Sequence, residues 1–325
     1  MKTTKLGKAG PAVGAIGLGC MGMGRAGMYG PSSEEEGIRT IHAAIDRGVT
    51  LIDTGDFYGM GDNELLVGKA LAGRRDKVQL SVKFGGMRDP SGAFIGLDLR
   101  PVAVKNFAAY SLKRLGVDVI DVYRPCRVDP SVPIEETVGA VADLIKAGWV
   151  RAIGLSEMGA ETVRRAHAVH PIVDLQIEYS LASRKPEEKI FPALRELGIS
   201  ATLYGVLSRG LLSGSKLGGP RDYRAHLPRF TGAAAAENAE VTARLGAFAA
   251  KLGRTPAQVC VGWALAKEPG FVPVIGARTP AQLDVLDAAP LAAAEVAELE
   301  RIVPHDAVKG SRYAEAQMAH LDSER

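Results

Sequence analysis

The sequence predicts a (β/α)8 TIM barrel, an α/β fold in which parallel strands alternate with helices around a closed sheet. Strand-like apolar runs alternate with helical patterns along the whole chain. Several helical patterns end at a glycine directly before the next apolar run, at Gly48, Gly116, Gly148 and Gly198. Because no linker-like or low-complexity segment divides the chain, we expect a single domain over residues 1–325.

Eight strand-like runs support the barrel. Each run is short and apolar, and enough chain separates it from the next run to form a helix. An open doubly wound sheet is the alternative arrangement, but such sheets usually contain fewer repeats. We therefore expect barrel strands at residues 13–18, 49–53, 77–83, 118–123, 149–156, 172–177, 199–204 and 271–275.

Helix starts are recognisable, and two regions exceed the simple repeat. Ser33 precedes an acidic first turn at residues 34–36 and is expected to cap a helix, while Pro133 suits the first turn of another.

Residues 205–235 form a glycine-rich and basic loop after the seventh strand. Because this loop is too long for an ordinary barrel connection, we expect it to be a lid over the site. Residues 303–325 form a polar C-terminal tail that could cover either end of the barrel.

Composition argues against several classes of function. A net charge of +3 with scattered lysines and arginines offers no basic surface for nucleic acid. The start of the chain lacks the apolar core of a secretion signal, and no run approaches the ~18 apolar residues of a membrane span. Cys20, Cys126 and Cys260 are too widely spaced to predict disulfides or a metal site. We therefore expect a cytoplasmic protein without a membrane partner; its oligomeric state is not predicted.

The glycines of the segment 17–22 match the spacing of a dinucleotide-binding loop in an open sheet. The surrounding sequence does not fit that fold, because no helix opens at the third glycine and no acidic residue closes a second strand roughly twenty residues later. We interpret the segment as the first barrel loop, whose backbone at Met21 and Gly22 can approach a ligand.

Residues at the carboxyl ends of barrel strands line one mouth, and three of them form a chemical unit. Asp53 ends the second strand, Tyr58 lies in the loop after it, and Lys83 ends the third. A lysine ammonium beside a phenol lowers the pKa of the tyrosine, and a carboxylate keeps the lysine charged. Such a phenol can give a proton to a carbonyl oxygen as hydride reaches the carbon. The alternative is an ion pair between Asp53 and Lys83 that only fills the barrel.

Longer motifs around these residues resemble the aldo-keto reductase family over nearly the whole chain. Residues 53–71 are similar to the first family signature, residues 81–83 to its lysine strand, and residues 120–130 with 148–156 to its middle signature. The resemblance implies an eight-stranded barrel and NADPH-dependent reduction of small aldehydes or ketones to alcohols. It also implies that the phenol is the proton donor, tuned by the carboxylate and the lysine.

One catalytic position departs from the family pattern. The family usually has histidine just before the Arg-Val-Asp-Pro run, where it orients the substrate carbonyl, and this chain has Cys126. A thiol is a weak hydrogen-bond donor compared with imidazole. The implied catalytic set is therefore Asp53, Tyr58, Lys83 and Cys126. Two alternatives stay open: a reductase of quinones or other conjugated acceptors, and an NADPH-binding sensor or regulatory protein with weak turnover.

The resemblance further implies an NADPH site along the same mouth. One group of residues would hold the nicotinamide, a second the pyrophosphate and a third the adenosine 2′-phosphate. The fixed charge of Arg278 and the helix N-terminus after it suit that dianion, so a preference for NADPH over NADH depends mainly on Arg278. The implied contacts are Ser156, Glu157, Gln176 and Tyr204 for the nicotinamide, Leu207, Ser208 and Arg209 for the pyrophosphate, and Gly276, Ala277, Arg278 and Gln282 for the phosphate, with Met21 and Gly22 nearby.

Overall fold

The structure, a computed structural model, describes residues 1–24, 29, 32–219 and 222–325. Arg221 of the predicted basic loop lies outside the described residues. The strands are β1 (Thr3–Lys5), β2 (Ala12–Gly14), β3 (Gly17–Gly19), β4 (Leu51–Gly55), β5 (Gln79–Phe84), β6 (Gly86–Arg88), β7 (Phe94–Leu97), β8 (Ile120–Pro125), β9 (Val150–Ser156), β10 (Ile172–Glu178), β11 (Ser200–Tyr204) and β12 (Val272–Gly276).

Helices surround these strands and follow the expected alternation. The short helix at the C-terminus belongs to the tail rather than to the barrel repeat. The α-helices are α1 (Glu34–Asp46), α2 (Asp62–Leu71), α3 (Pro101–Leu115), α4 (Ile134–Lys146), α5 (Ala160–Val169), α6 (Ile190–Leu197), α7 (Gly232–Lys251), α8 (Pro256–Lys267), α9 (Ala293–Ile302) and α10 (Glu315–Met318).

Within the described ranges, eight parallel strands close into one barrel in the order β10-β11-β12-β3-β4-β5-β8-β9. The closure confirms the predicted (β/α)8 fold and excludes the open doubly wound sheet. The strand predicted at residues 13–18 is split in two. Its first part, β2, pairs with β1 in an antiparallel hairpin, and only β3 enters the barrel.

The hairpin closes the end of the barrel away from the strand carboxyl ends. Leu6 and Val13 from the hairpin pack with Leu51, Val122 and Val272 in an apolar cluster inside the barrel. Leu51 and Val272 are the first residues of β4 and β12, so this cluster marks the amino end of the strands. The opposite mouth is left for polar side chains.

The predicted helix boundaries have the expected physical basis. Ser33 accepts a hydrogen bond from the backbone N–H of Glu36 at 3.1 Å and so caps α1. Gly116 and Gly198 end α3 and α6 with φ values of 65° and 70°, a left-handed conformation that glycine adopts without steric cost. Pro133 stands one position before α4 begins.

The loop after β11 is folded in its described part. It contains short 3-10 turns, and Arg224 is buried within it. The Arg224 guanidinium donates to Oδ2 of Asp222 at 2.7 Å and to the carbonyl of Lys216 at 2.9 Å, which ties the two halves of the loop together. The loop also meets the tail, because Arg229 Nε donates to the carbonyl of Gly310 at 3.2 Å.

Two further findings bear on function. No helix in the described ranges is long and apolar enough to cross a membrane. Among the same residues, no cluster of three or more histidine, cysteine, aspartate or glutamate side chains is arranged to hold a metal ion.

The close packing of α2 on the end of α3 predicts that a larger residue at Gly68 destabilises the protein. A Cβ added at Gly68 would lie 2.6 Å from the backbone oxygen of Leu115, so Gly68→Ala forces the helices apart. We expect it to lower the free energy of unfolding by about 1–3 kcal/mol in chemical denaturation. Gly139 in α4 is the control, since no described atom lies within 4 Å of an added Cβ. Gly139→Ala should raise stability by roughly 0.5–1 kcal/mol; equal losses for the two variants would contradict the packing argument.

Candidate active site

Side chains from three barrel strands meet inside the mouth. Asp53 on β4, Lys83 on β5 and Gln176 on β10 are all buried. Nζ of Lys83 donates to Oδ1 of Asp53 and, at 2.9 Å, to Oε1 of Gln176. Nε2 of Gln176 donates to Oδ2 of Asp53 at 2.9 Å. The structure therefore brings together two predicted catalytic residues and one predicted nicotinamide contact.

Both members of the Asp53–Lys83 pair have altered pKa values. Burial opposes ionisation of Asp53, but the charges of Lys83 and Arg124 and the hydrogen bonds outweigh it, so the pKa of Asp53 lies below its usual value. Burial and the charge of Arg124 lower the pKa of Lys83, although Asp53 acts in the opposite direction. The pair is a buried ion pair with a second cation behind it.

Tyr58 lies beside Lys83 of this pair. It opens a short turn after β4 in which Gly59 and Met60 have left-handed φ values of 56° and 55°. Nζ of Lys83 is 5.3 Å from the centroid of the Tyr58 ring. Burial and the negative charge of Asp53 raise the pKa of Tyr58 well above its usual range.

The direction of this pKa change is opposite to the one predicted. The expectation assigned the carboxylate an effect on the lysine only, whereas burial penalises the phenolate and the charge of Asp53 acts directly against it. Tyr58 therefore keeps its proton at neutral pH. A neutral phenol is the form that a general acid needs.

Cys126 follows β8 at the same mouth and is buried. Its backbone N–H donates to the carbonyl of Phe84 at 2.9 Å, which fixes the turn. Burial raises the pKa of the Cys126 thiol to about 12, so the sulfur stays protonated at neutral pH. A neutral buried thiol is neither a strong nucleophile nor a strong hydrogen-bond donor.

The residues predicted to bind the adenosine phosphate lie at the rim of the barrel. Gln282 is exposed, and its Oε1 accepts from the backbone N–H of Arg278 at 2.7 Å, which caps the 3-10 helix Pro280–Asp287. Nη1 of Arg278 donates to the carbonyl of Tyr29 at 2.8 Å. A Cβ added at Gly22 would lie 3.4 Å from Cγ of Arg278, so the first loop borders this cation. Of the neighbouring predicted contacts, Met21 is half-buried, Gly276 is exposed and Ala277 is buried.

The predicted pyrophosphate segment has an unusual backbone. Ser208 and Arg209 have left-handed φ values of 46° and 55°, and Leu207 precedes them. Each such conformation costs a non-glycine residue on the order of 1–3 kcal/mol, and such strain is concentrated at ligand sites. Nη2 of Arg209 donates to Oε2 of Glu178 at 3.1 Å, so its charge is held close to this strained turn.

The C-terminal tail lies across the part of the mouth predicted to bind nicotinamide. The hydroxyls of Tyr313 and Tyr204 are 3.2 Å apart, and the guanidinium carbon of Arg209 lies 4.5 Å from the Tyr313 ring centroid. Nη2 of Arg312 donates to Oε2 of Glu157 at 2.6 Å. The tail therefore covers the carboxyl end of the barrel, an outcome that the sequence left open.

Arg312 completes a buried charge cluster with residues from the barrel and the loop. Its members, the tail cluster, are two carboxylates and three guanidinium groups: Glu157, Glu178, Arg209, Arg229 and Arg312. Burial opposes the ionisation of Glu157, but the charge and hydrogen bonds of Arg312 lower its pKa to about 2. Glu324 is a further carboxylate partner, 2.9 Å from Nη2 of Arg312, so the charges of the cluster and this partner balance.

Some predicted contacts are already engaged by other groups. Both oxygens of Glu157 accept hydrogen bonds from Arg312, and Oε2 also accepts from the hydroxyl of Ser323 at 2.6 Å. Ser156, which ends β9, is buried beside it. The sequence does not identify Arg312 or Tyr313, because residues more than 100 positions apart make these contacts and no local pattern indicates them.

Known proteins share both the sequence pattern and the fold. The model of the aldo/keto reductase family matches residues 15–304. A probable aldo-keto reductase 1 from Glycine max is 40% identical over 326 residues, which cover 96% of this chain and 92% of that protein. The structure of a glycerol dehydrogenase from Gluconobacter oxydans is similar with a TM-score of 0.83 at 26% identity, covering 98% of this chain and 96% of that one. The holo form of an aldo-keto reductase from Bacillus halodurans is similar with a TM-score of 0.78 at 28% identity, covering 97% and 99%.

The tail cluster predicts a strong effect of Glu157→Gln on stability. The substitution leaves Arg312 buried without its main counter-charge, so we expect the free energy of unfolding at neutral pH to fall by about 3 kcal/mol. Urea denaturation measures this loss. Glu135→Gln is the control, since Glu135 and Arg165 form an exposed pair at the surface, and its unfolding midpoint should stay unchanged.

The pH dependence follows from the lowered pKa of Glu157. Its folded pKa of about 2 lies below the ordinary value of 4.5, so its contribution is complete above that ordinary value and disappears as pH falls toward about 2. The stability difference between wild type and Glu157→Gln should therefore narrow as the pH is lowered through this window. A difference that is constant with pH would contradict the assignment.

Proposed function

The chain belongs to the aldo/keto reductase family, and we propose that it is an NADPH-dependent reductase of aldehydes and ketones. The family makes it an NAD(P)H-dependent oxidoreductase that acts on small carbonyl compounds. The observation that carries the finer proposal is a neutral phenol, Tyr58, next to Lys83 of the buried Asp53–Lys83 ion pair.

The residues at the mouth fit a phosphorylated nicotinamide cofactor. Arg278 stands at the rim before a capped helix start, where its fixed positive charge suits the 2′-phosphate. The strained turn at Ser208 and Arg209, which carries the guanidinium of Arg209, suits the pyrophosphate. Gln176 and Tyr204 would hold the nicotinamide. When bound, this cofactor supplies the hydride.

Tyr58 would supply the proton to the carbonyl oxygen. Its raised pKa keeps the hydroxyl protonated until negative charge develops on that oxygen. The phenolate that remains then lies near the ammonium of Lys83, 5.3 Å from the ring centroid. Asp53 holds that ammonium in place through a hydrogen bond, so the positive charge is oriented before the reaction begins.

Cys126 favours a second candidate function. A neutral thiol would replace the imidazole as the partner of the substrate carbonyl and would orient it only weakly. Acceptors that need less orientation, such as quinones and other conjugated systems, are therefore the alternative substrates. An NADPH-binding sensor with weak turnover is the remaining alternative.

The test of the proton donor is Tyr58→Phe. We expect NADPH consumption with small aldehydes and ketones to fall by about 100-fold or more, because the phenolic proton is lost while the ring is kept. NADPH binding, followed by fluorescence, should be unchanged. Tyr110→Phe is the control, since Tyr110 is exposed on α3 away from the mouth.

Each result of this test separates the candidates. Equal consumption by wild type and Tyr58→Phe with every carbonyl acceptor would refute the proton-donor role. Wild-type consumption with quinones alone would support the conjugated-acceptor alternative. Tight NADPH binding without turnover of any acceptor would support the sensor.

The preference for NADPH is tested at Arg278. We expect Arg278→Gln to weaken NADPH binding by about tenfold or more, since a charge-assisted contact to a phosphate contributes about 1.5–3 kcal/mol. NADH, which lacks the 2′-phosphate, should bind the variant as well as it binds wild type. Arg301→Gln, an exposed arginine on α9, is the control. Equal weakening of both cofactors by Arg278→Gln would contradict the phosphate role.

A further inference from the structure

We propose that Arg124 is a positioning residue of this active site, which together with Asp174 closes a ring of hydrogen bonds inside the barrel that fixes Asp53 and Lys83. The role in catalysis rests on the carbonyl reduction proposed above. The ring itself is a property of the described residues alone. Its members, the interior ring, are Asp53, Ser81, Arg124, Asp174, Thr202 and Gln176.

One half of the interior ring runs from Arg124 through Ser81 to Asp53. Nη2 of Arg124 donates to Oγ of Ser81 at 3.0 Å, and that hydroxyl donates to Oδ2 of Asp53 at 2.8 Å. Because a guanidinium only donates, Ser81 must accept from Arg124 and turn its own proton toward the carboxylate. Arg124 therefore sets the direction of the hydrogen bond that Asp53 receives.

The other half reaches Asp53 from the opposite side of the barrel. Nη1 of Arg124 donates to Oδ2 of Asp174 at 2.9 Å, and the same oxygen accepts from the hydroxyl of Thr202 at 2.7 Å. Nε2 of Gln176 donates to Oγ1 of Thr202 at 3.4 Å and to Oδ2 of Asp53 at 2.9 Å. Oδ2 of Asp53 is thus held from two sides, and Oδ1 is left for Lys83.

Strand register and a glycine make room for Arg124. Lys83 on β5 is paired with Arg124 on β8, so both side chains face the interior at the same level. Gly154 on β9 lies beside them. A Cβ there would stand 2.6 Å from Oδ1 of Asp174 and 3.1 Å from the guanidinium carbon of Arg124. Only a residue without a side chain accommodates the ion pair at this level of the barrel.

Stability alone does not explain this ion pair. Arg124 and Asp174 are fully buried, and among the described residues Nε of Arg124 and Oδ1 of Asp174 have no hydrogen-bond partner. Unpartnered buried polar atoms are costly, and buried ion pairs can often be replaced by apolar residues without loss of stability. One level below, Val122 and its neighbours fill the barrel with ordinary apolar side chains. The ion pair between Arg124 and Asp174 is accounted for if it positions Asp53 and Lys83.

Arg124 also acts on Lys83 through its charge. Burial lowers the pKa of Lys83, the neighbouring carboxylate raises it, and Arg124 lowers it further. The two thiols near Lys83 are neutral, since burial raises both of their pKa values. Arg124 is therefore the cation whose removal should raise the pKa of Lys83. Among the described residues, the titratable or charged groups around Lys83 are Asp53, Tyr58, Arg124, Cys20 and Cys126, and Asp174 lies beyond Arg124 as its ion-pair partner.

The test uses the double variant Arg124→Met and Asp174→Asn, which removes both charges and keeps the side-chain volumes close. The single Arg124→Met variant would leave Asp174 as an uncompensated buried charge and is expected to fold poorly. The titration of Lys83 is followed by carbon-13 NMR of labelled lysines in protein without cofactor, with the signal assigned by Lys83→Met. Arg195→Met with Glu268→Gln is the control, because that ion pair lies outside the barrel interior.

We expect the titration midpoint of Lys83 to rise toward its ordinary value of 10.5 in the double variant and to stay unchanged in the control. In carbonyl reduction, the pH at which kcat falls on the alkaline side should rise by the same amount. Misplacement of Asp53 and Lys83 should lower kcat by about tenfold or more.

A Lys83 midpoint that does not move in the folded double variant would overturn the proposal. A lower kcat without a shift of its pH dependence on the alkaline side would also overturn it, because a merely structural role predicts that result. If wild type reduces no acceptor, the proposed function fails, and the NMR midpoint still decides whether Arg124 acts on Lys83.

Discussion

The ion pair between Asp53 and Lys83 inside a closed barrel is the constraint on which the rest of the mouth depends. Burial penalises each charge, so each must have partners that are fixed in place. Gln176 contacts both members, and Ser81 contacts the carboxylate. These partners come from separate strands, and only closure of the sheet brings them together.

The same burial decides the chemistry of Tyr58. In water a nearby ammonium would favour the phenolate, but at this mouth desolvation and Asp53 act against it. The phenol stays neutral, and the positively charged ammonium of Lys83 lies beside it. The proton is therefore on Tyr58 and the compensating positive charge is on Lys83. This arrangement suits an acid that donates its proton only when negative charge develops on the substrate oxygen.

Charge is concentrated at two levels of the barrel. The interior ring lies within it, and its two carboxylates, Asp53 and Asp174, are balanced by Arg124 together with the neighbouring Lys83. The tail cluster covers the mouth, and its charges balance once Glu324, a further partner of Arg312, is included. The first arrangement fixes groups that move protons. The second fastens the C-terminal tail through Arg312. Both are built from side chains distant in sequence.

Sequence alone determined the alternation of strands and helices, the capping at Ser33 and the glycine stops, because these depend on neighbouring residues. It also indicated that Asp53, Lys83 and Tyr58 would share one mouth, since carboxyl ends of barrel strands converge. Only the tertiary structure decided the split of the first predicted strand, the pKa direction of Tyr58 and the position of the tail. It also revealed the ring through Arg124 and Asp174. Burial and contacts across the barrel are set by the whole fold, and no local pattern of residues encodes them.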